Sequence, residues 1–283
     1  MTLPRLAKAK VNLFLHVTGK RDDGYHLLES LVCFPDCGDV LDVLPSDQLF
    51  LRETGPFAGK MGAWQNNLII KAAQLLQKRG GVSQGAEIHI TKTLPVASGI
   101  GGGSSDAATV LHLLCKLWDL KLSDQELQEL GLELGADLPV CLYGKTALMS
   151  GIGDVISPIN KVPNLGILLI NPGVSVSTQD IFKELGPIKP KYDLPTLEKL
   201  SKDLLVRTLR ECRNDLQAGA IRIVPSIKAV LAKLEALDSC LLSRMSGSGA
   251  TCFGLFDTVR QAELAKDILH RDEPNWWLAA TQI

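Results

Sequence analysis

The sequence predicts an α+β protein of two domains. Its 283 residues are long enough for two packed domains, or for one large one. Stretches of alternating apolar residues are mixed irregularly with stretches of helical period. Turn signals such as Asp23-Gly24, Asn171-Pro172-Gly173 and Ser246-Gly247-Ser248-Gly249 fall where hairpins would close. Irregular mixing with hairpins favours α+β architecture over a doubly wound parallel sheet.

Residues 9–17 alternate, with Val11, Leu13, Leu15 and Val17 on one side and Lys10, Asn12, Phe14 and His16 on the other. That reads as a strand with one buried face, on which Lys10 and Asn12 share the non-core side, roughly 7 Å apart. A turn at 21–24 follows, then strands at 26–34, 40–44 and 48–52. Residues 66–79 form a helix opened by an Asn cap and closed by Lys78-Arg79 before Gly80-Gly81. Residues 86–91 alternate again. A glycine-rich loop, 95–105, runs into an apolar helix expected from about Asp106 to Trp118. Ser123 and Glu126 have capping-box spacing for a helix that stops at Gly135. A strand pair is expected at 140–149, and the domain boundary near 155, giving domains 1–155 and 156–283. The second half is expected to hold a strand at 165–170, a short helix with Ile181 and Phe182, and a helix at 225–237 with Pro225 in its first turn. A strand–turn–strand around 245–249, a helix at 257–270 and a terminal strand complete it.

Charge excludes some functions. Thirty Lys and Arg stand against thirty-one Asp and Glu, a net charge of −1. Such a chain has no general attraction for nucleic acid or an anionic membrane, so an anionic ligand needs a local site. No apolar run reaches the roughly 18–20 residues of a membrane helix. The first residues lack a signal peptide's apolar stretch, and the seven cysteines are irregularly spaced, mostly in apolar segments. Free thiols in the cytoplasm are the expectation. Cys33 and Cys37 have no second Cys or His pair to make a zinc site.

The loop carries the strongest chemical signal. Four of the five residues Gly99-Ile100-Gly101-Gly102-Gly103 are glycine, followed by Ser104, Ser105 and a helix. A backbone without Cβ atoms can present N–H groups in a concave nest, and the helix end adds free amides and a positive dipole. Both suit phosphate oxygens, and the serine hydroxyls suit phosphate or Mg²⁺. No Gly-Lys-Ser/Thr ends the loop, so it is not a Walker A motif, and the glycine spacing is wrong for a dinucleotide fingerprint. Asp137, in Gly135-Ala136-Asp137-Leu138-Pro139, is either the acceptor of a turn before proline or a general base. A cation would hold such a base ionised, and Lys10 is a candidate, though alone it also reads as a solvated strand lysine. Tyr25-His26 could stack on a base and hydrogen-bond its edge, or be an ordinary hairpin pair. Ser246-Gly247-Ser248-Gly249 could be a tight turn or a second loop on the same polyanion.

Ala9-Lys10-Val11-Asn12-Leu13-Phe14-Leu15, Asp23-Gly24-Tyr25-His26, the stretch from Pro95 to Ser105, Gly135-Ala136-Asp137-Leu138-Pro139-Val140 and Ser246-Gly247-Ser248-Gly249-Ala250 occur in this order. Together they resemble the GHMP kinase superfamily. Within it they are most similar to the branch that phosphorylates a cytidine diphosphate polyol of the non-mevalonate isoprenoid route. The glycine-serine loop is shared by the superfamily, whereas the Asn-Leu-Phe-Leu strand with its Asp-Gly-Tyr-His is specific to this branch.

The resemblance implies a two-domain GHMP-kinase-like fold with the active site in the interdomain cleft, and transfer of the ATP γ-phosphoryl group to the 2-hydroxyl of the methylerythritol unit. It makes Asp137 the base and Lys10 the group that holds and polarises the hydroxyl. Asn12 would touch the polyol, Tyr25, His26 and Phe182 the cytosine, and Thr178 the same substrate. Pro95, Gly99, Gly101, Gly102, Gly103, Ser104 and Ser105 would hold ATP, with Asn66 near the adenine and Mg²⁺ as companion ion through ligands the sequence does not identify. A monomer or weak homodimer acting on a small molecule, with no nucleic acid or membrane partner, is implied. The chain departs from the branch in having Lys8-Ala9-Lys10 before the strand and Val96-Ala97-Ser98 as the loop's lead-in. Another GHMP small-molecule kinase, for homoserine or mevalonate, and a non-catalytic GHMP-fold ligand sensor are the alternatives.

Overall fold

The computed structural model describes residues 3–159, 162–188, 190, 193–194 and 201–283. The chain packs as two compact units. One comprises 1–9, 37–96 and 101–144, the other 10–36, 97–100 and 145–283. The units interleave in sequence, so a single cut after residue 155 describes the order of motifs along the chain and not its packing.

In the first unit, strands Arg5–Lys8, Gly38–Ser46 and Gly85–Thr91 pair antiparallel in that order, and Leu49–Thr54 adds parallel to Gly85–Thr91. Alternation works as expected: Ala86, Ile88 and Ile90 face the core with Leu41 and Val43. Helices Leu68–Gly80 and Gly102–Leu117 supply Ile69, Ala72, Leu76, Val110, Leu111 and Leu114 to the same core. Each of the buried Ile, Leu and Val side chains contributes roughly 1.5–3 kcal/mol. Asp124–Leu134 carries the expected Ser123–Glu126 capping box and buries Leu127 and Leu130.

Three expectations for this unit are corrected. The helix after the glycine loop begins at Gly102, not near Asp106, so Gly102 to Ser105 form its first turn. Leu138–Tyr143 is a helix rather than part of a strand pair; Pro139 presets its first turn and Gly144, at φ +63°, closes it. The strand expected there is confined to Ala147–Gly151. The asparagine that caps Leu68–Gly80 is Asn67, whose Oδ1 accepts from the Ile69 amide, while Asn66 ends a short 3₁₀ turn.

The second unit holds two sheets. In one, His26–Cys33 is flanked by Ala147–Gly151 on one side and by Val11–Asn12 and His16–Lys20 on the other. Val155–Pro158 extends it beyond Ala147–Gly151. The other runs Leu242–Met245, Cys252–Phe256, Gly166–Asn171, Trp277–Gln282, all antiparallel. Helices Ser226–Glu235 and Val259–Asp272 cover it through Ile227, Val230, Leu234, Ala262, Ala265 and Leu269. Lys202–Glu211 and Gln217–Ile223 are helices that the sequence reading did not assign.

Residues 9–17 are not one half-exposed strand. Every residue from Ala9 to Val17 is buried, including Lys10 at 4% and Asn12 at 1% exposure. The strand breaks at 13–15 because its backbone there bonds to groups distant in sequence. Arg244 donates to the Leu13 carbonyl, Ser30 Oγ to the Phe14 carbonyl, and Leu15 exchanges bonds with Arg213 and Asp215. A solvated-lysine reading of Lys10 is thereby overturned.

Candidate active site

Within the second unit the two glycine-rich turns pack on one another. Gly99 has φ +75°, and a Cβ there would lie 2.6 Å from Gly249 N, Gly249 O and Ser246 O. Ser246 Oγ donates to the Gly99 carbonyl at 3.0 Å, and the Thr251 amide donates to Ser98 O at 3.1 Å. Only glycine fits the left-handed turn and the close approach together. Ser246 Oγ also accepts from the Asn12 amide at 3.1 Å, and the Lys10 amide donates to Ile100 O at 2.9 Å. The strand bearing Lys10 and Asn12 is thus bonded to both turns. Asn12 Nδ2 donates to Ser30 Oγ at 2.7 Å, so that half of its amide is committed inside the unit, while Oδ1 faces Gly247.

Thr178 starts the helix Thr178–Lys183 and shares a hydrogen bond with Ser248 Oγ at 2.9 Å, placing that helix against the Ser246–Gly249 turn. Phe182, on the same helix, stacks on His26 with ring centroids 4.8 Å apart and planes at 19°. Burial, with Lys20 adding, lowers the His26 pKa and keeps the ring neutral at pH 7. Tyr25 is 56% exposed, beside the turn closed by the Arg21–Tyr25 and Gly24–Arg21 backbone bonds. Thr178, Phe182 and His26 therefore come together; Tyr25 stands at the strand's start with its ring in solvent.

In the first unit, Gly101 at φ +61° heads the helix Gly102–Leu117. A Cβ on Gly103 would meet nothing within 4 Å, so the backbone is open to an incoming group. The amides of Gly102, Gly103 and Ser104 lack intrahelical partners, whereas the Ser105 amide already donates to the Gly101 carbonyl at 2.9 Å. Ser105 Oγ donates to Cys141 Sγ at 3.5 Å. Cys141 lies on the helix Leu138–Tyr143, one turn after Asp137, which occupies its N-cap position. The Asp137 side chain makes no cap bond and is half-buried. The turn that presents amides and the helix headed by the carboxylate are thus joined through Ser105 and Cys141. Pro95 is buried and Asn66 is exposed.

The sequence reading missed a buried ionic triad beneath this turn. Lys92 Nζ donates to Asp39 Oδ2 and, at 2.8 Å, to Asp106 Oδ2. Asp39 Oδ1 also accepts from the Thr93 and Leu94 amides. Burial opposes the Lys92 charge, but Asp106 and Asp39 outweigh it and raise its pKa. Burial pushes the Asp106 carboxyl up to about 8 against the pull of Lys92, with Asp39 adding to the rise. The available signal was a lysine ending an alternating strand and an aspartate opening an apolar helix.

Among the described residues no group of three or more His, Cys, Asp or Glu side chains is placed to hold a metal ion. A magnesium ion here would be held through phosphate oxygens, water and few protein ligands, as Mg²⁺ commonly is. Ser105 fits that role, because its hydroxyl bonds only to a soft thiol among the hydrogen bonds described and its oxygen lone pairs remain for a hard cation.

The fold and this site define a GHMP kinase: residues 67–145 match the GHMP kinases N-terminal domain and 194–275 the GHMP kinases C-terminal domain. A protein of Paramagnetospirillum magneticum named 4-diphosphocytidyl-2-C-methyl-D-erythritol kinase is 46% identical over 98% of this chain and 97% of its own length. A crystal structure of 4-(cytidine 5'-diphospho)-2C-methyl-D-erythritol kinase superposes with TM-score 0.80 at 33% identity, covering 98% of each chain. The chain belongs to the 4-diphosphocytidyl-2-C-methyl-D-erythritol kinase family. A homoserine kinase from Cytophaga hutchinsonii shares the fold, with TM-score 0.69 at 17% identity over 100% of this chain and 95% of its own.

Proposed function

We propose that the protein transfers the γ-phosphoryl group of ATP to the 2-hydroxyl of 4-diphosphocytidyl-2-C-methyl-D-erythritol. The observation that carries this reading is the Ser105–Cys141 contact, which joins an amide-presenting glycine turn to the helix headed by Asp137. Phosphoryl transfer needs positioning and charge neutralisation more than covalent chemistry. In this reading the amides at Gly101, Gly102, Gly103 and Ser104, with the Ser105 hydroxyl beside them, take the β- and γ-phosphate oxygens, while the Ser105 amide stays bonded to the Gly101 carbonyl; Pro95, Gly99 and Asn66 shape the rest of the nucleotide site. Ser105, with the phosphates, would hold Mg²⁺, which would supply charge neutralisation at the transferring group. Asp137 accepts the proton of the 2-hydroxyl as its oxygen attacks the γ-phosphorus and ADP departs. Lys10 holds that oxygen and offsets its growing charge. Tyr25, His26 and Phe182 take the cytosine, and Asn12 and Thr178 the polyol.

The protein works in the cytoplasm as a monomer or weak homodimer, on a small molecule and not on nucleic acid or membrane. ADP release measured with Mg²⁺, ATP and a panel of alcohols tests the substrate. Turnover is expected with the cytidine diphosphate polyol and not with free methylerythritol, homoserine or mevalonate. Equal turnover of the free polyol would remove the cytidine from recognition.

A further inference from the structure

The Asp39–Lys92–Asp106 triad has no part in the chemistry above, yet it lies under the turn that the chemistry uses. All three side chains are buried. A buried ion pair is a poor device for stability, since desolvating the charges consumes most of what their attraction returns. This one is also incompletely satisfied: Asp106 Oδ1 has no hydrogen-bond partner among the described residues. What the triad does supply is a fixed distance. Asp39 belongs to the strand Gly38–Ser46 and binds the Thr93 and Leu94 amides, so it is tied to the chain leaving Gly85–Thr91. Asp106 belongs to the helix Gly102–Leu117. Lys92 spans the two. The helix turn rests directly on the ammonium: a Cβ on Gly102 would lie 3.4 Å from Lys92 Nζ and 3.8 Å from Asp39 Oδ2.

We infer that Lys92, held between Asp39 and Asp106, is a positioning residue for nucleotide binding that sets where the first turn of the glycine helix presents its amides. Amides aimed at phosphate lose their value within a fraction of an ångström, because hydrogen bonds weaken steeply with distance and angle. An ammonium on the sheet side, bonded to a carboxyl oxygen on the helix side, restrains that turn more tightly than apolar packing would. The inference rests on the proposal that this turn binds the phosphates of ATP. With the Asp106 carboxyl pushed up to about 8, the triad also presents little net negative charge to a polyphosphate near neutral pH.

The test is calorimetric binding of Mg·ATP, without the acceptor alcohol, to the full chain and to two variants of matched size. Asp106→Asn keeps an oxygen that accepts from Lys92; Asp106→Leu removes it and leaves Lys92 neutralised by Asp39. Asp106→Asn is expected to bind Mg·ATP within about twofold of the parent, and Asp106→Leu about tenfold or more weakly, the range for a lost hydrogen bond to a charged group. The KM for the cytidine diphosphate substrate should stay the same in both. Parent-like ATP binding by Asp106→Leu overturns the inference. So does a fall in melting temperature with both ligands weakened alike, since that is general damage to the fold. If Asp106→Leu does not fold, Lys92→Arg keeps the charge but moves the donor, and unchanged ATP binding in that variant overturns the inference as well. Absence of Mg·ATP binding by the parent chain would instead remove the proposed function.

Discussion

Gly99 and Gly249 approach so closely that a Cβ on Gly99 would fall 2.6 Å from both the backbone nitrogen and the backbone oxygen of Gly249. The two glycine-rich turns therefore form a single packed element, not two independent loops. Gly99→Ala would add left-handed strain to a backbone clash, together about 2–5 kcal/mol of lost stability. Gly103→Ala meets no atom within 4 Å and has no left-handed strain. It should leave stability unchanged within about 0.5 kcal/mol, the usual bound for a substitution in open space, and still weaken ATP binding by filling the space a phosphate would use. Urea unfolding and ATP titration of the two variants separate these effects. Equal stability of both would contradict the packing of the two turns.

Tyr25 and Phe182 should part in the same way. Tyr25 is largely exposed, whereas Phe182 packs against the second unit's core and on His26. Tyr25→Ala should leave the melting temperature unchanged and raise the KM for the cytidine diphosphate substrate by about 5- to 150-fold, the worth of roughly 1–3 kcal/mol of base stacking. Phe182→Ala should lower both stability and substrate affinity. ATP binding serves as the control, and an unchanged substrate KM for Tyr25→Ala would remove the stacking role.

The triad predicts a pH dependence of stability. Burial raises the Asp106 pKa from 3.8 to about 8, so between those values the folded chain keeps a proton that the unfolded chain releases. Its contribution is fully present at acid pH and declines as pH rises through that window. Lys92, the other partner with a shifted pKa, is raised above an already high value and titrates outside the window. Asp106→Asn cannot titrate. Its urea midpoint should gain on the parent's from pH 5 to about pH 8 and level off above that, and parallel curves would show that Asp106 is ionised in the fold throughout.

Much of the fold was legible because its signals are local. The alternation in Gly85–Thr91, the Ser123–Glu126 capping box and the glycine turns each depend on residues a few positions apart. The burial of Lys10 and Asn12 was not legible, since the groups that bind them, Ser30 and Ser246 for Asn12 and the Ile100 carbonyl for the Lys10 amide, come from far along the chain. Leu138–Tyr143 reads as a strand by residue type, and the proline at its start and the glycine at its end were the better guides. The helix Lys202–Glu211 did carry a signal that the reading passed over: Ser201 as cap, with Leu205 and Leu209 one turn apart and buried. Asp39, Lys92 and Asp106 are ordinary charged residues in sequence and become a cluster only when sheet and helix pack. The motifs of the site were legible as residue types; their contacts, such as Ser105 with Cys141, were not.

Asp137→Asn tests the account most directly, because the substitution keeps the shape of the side chain at the head of Leu138–Tyr143 and removes only its capacity to take a proton. Steady-state turnover with Mg·ATP and 4-diphosphocytidyl-2-C-methyl-D-erythritol should fall by roughly 10²–10⁴, the range for a lost general base, with ATP affinity and melting temperature unchanged. Turnover within a few fold of the parent would show that Asp137 is not the base.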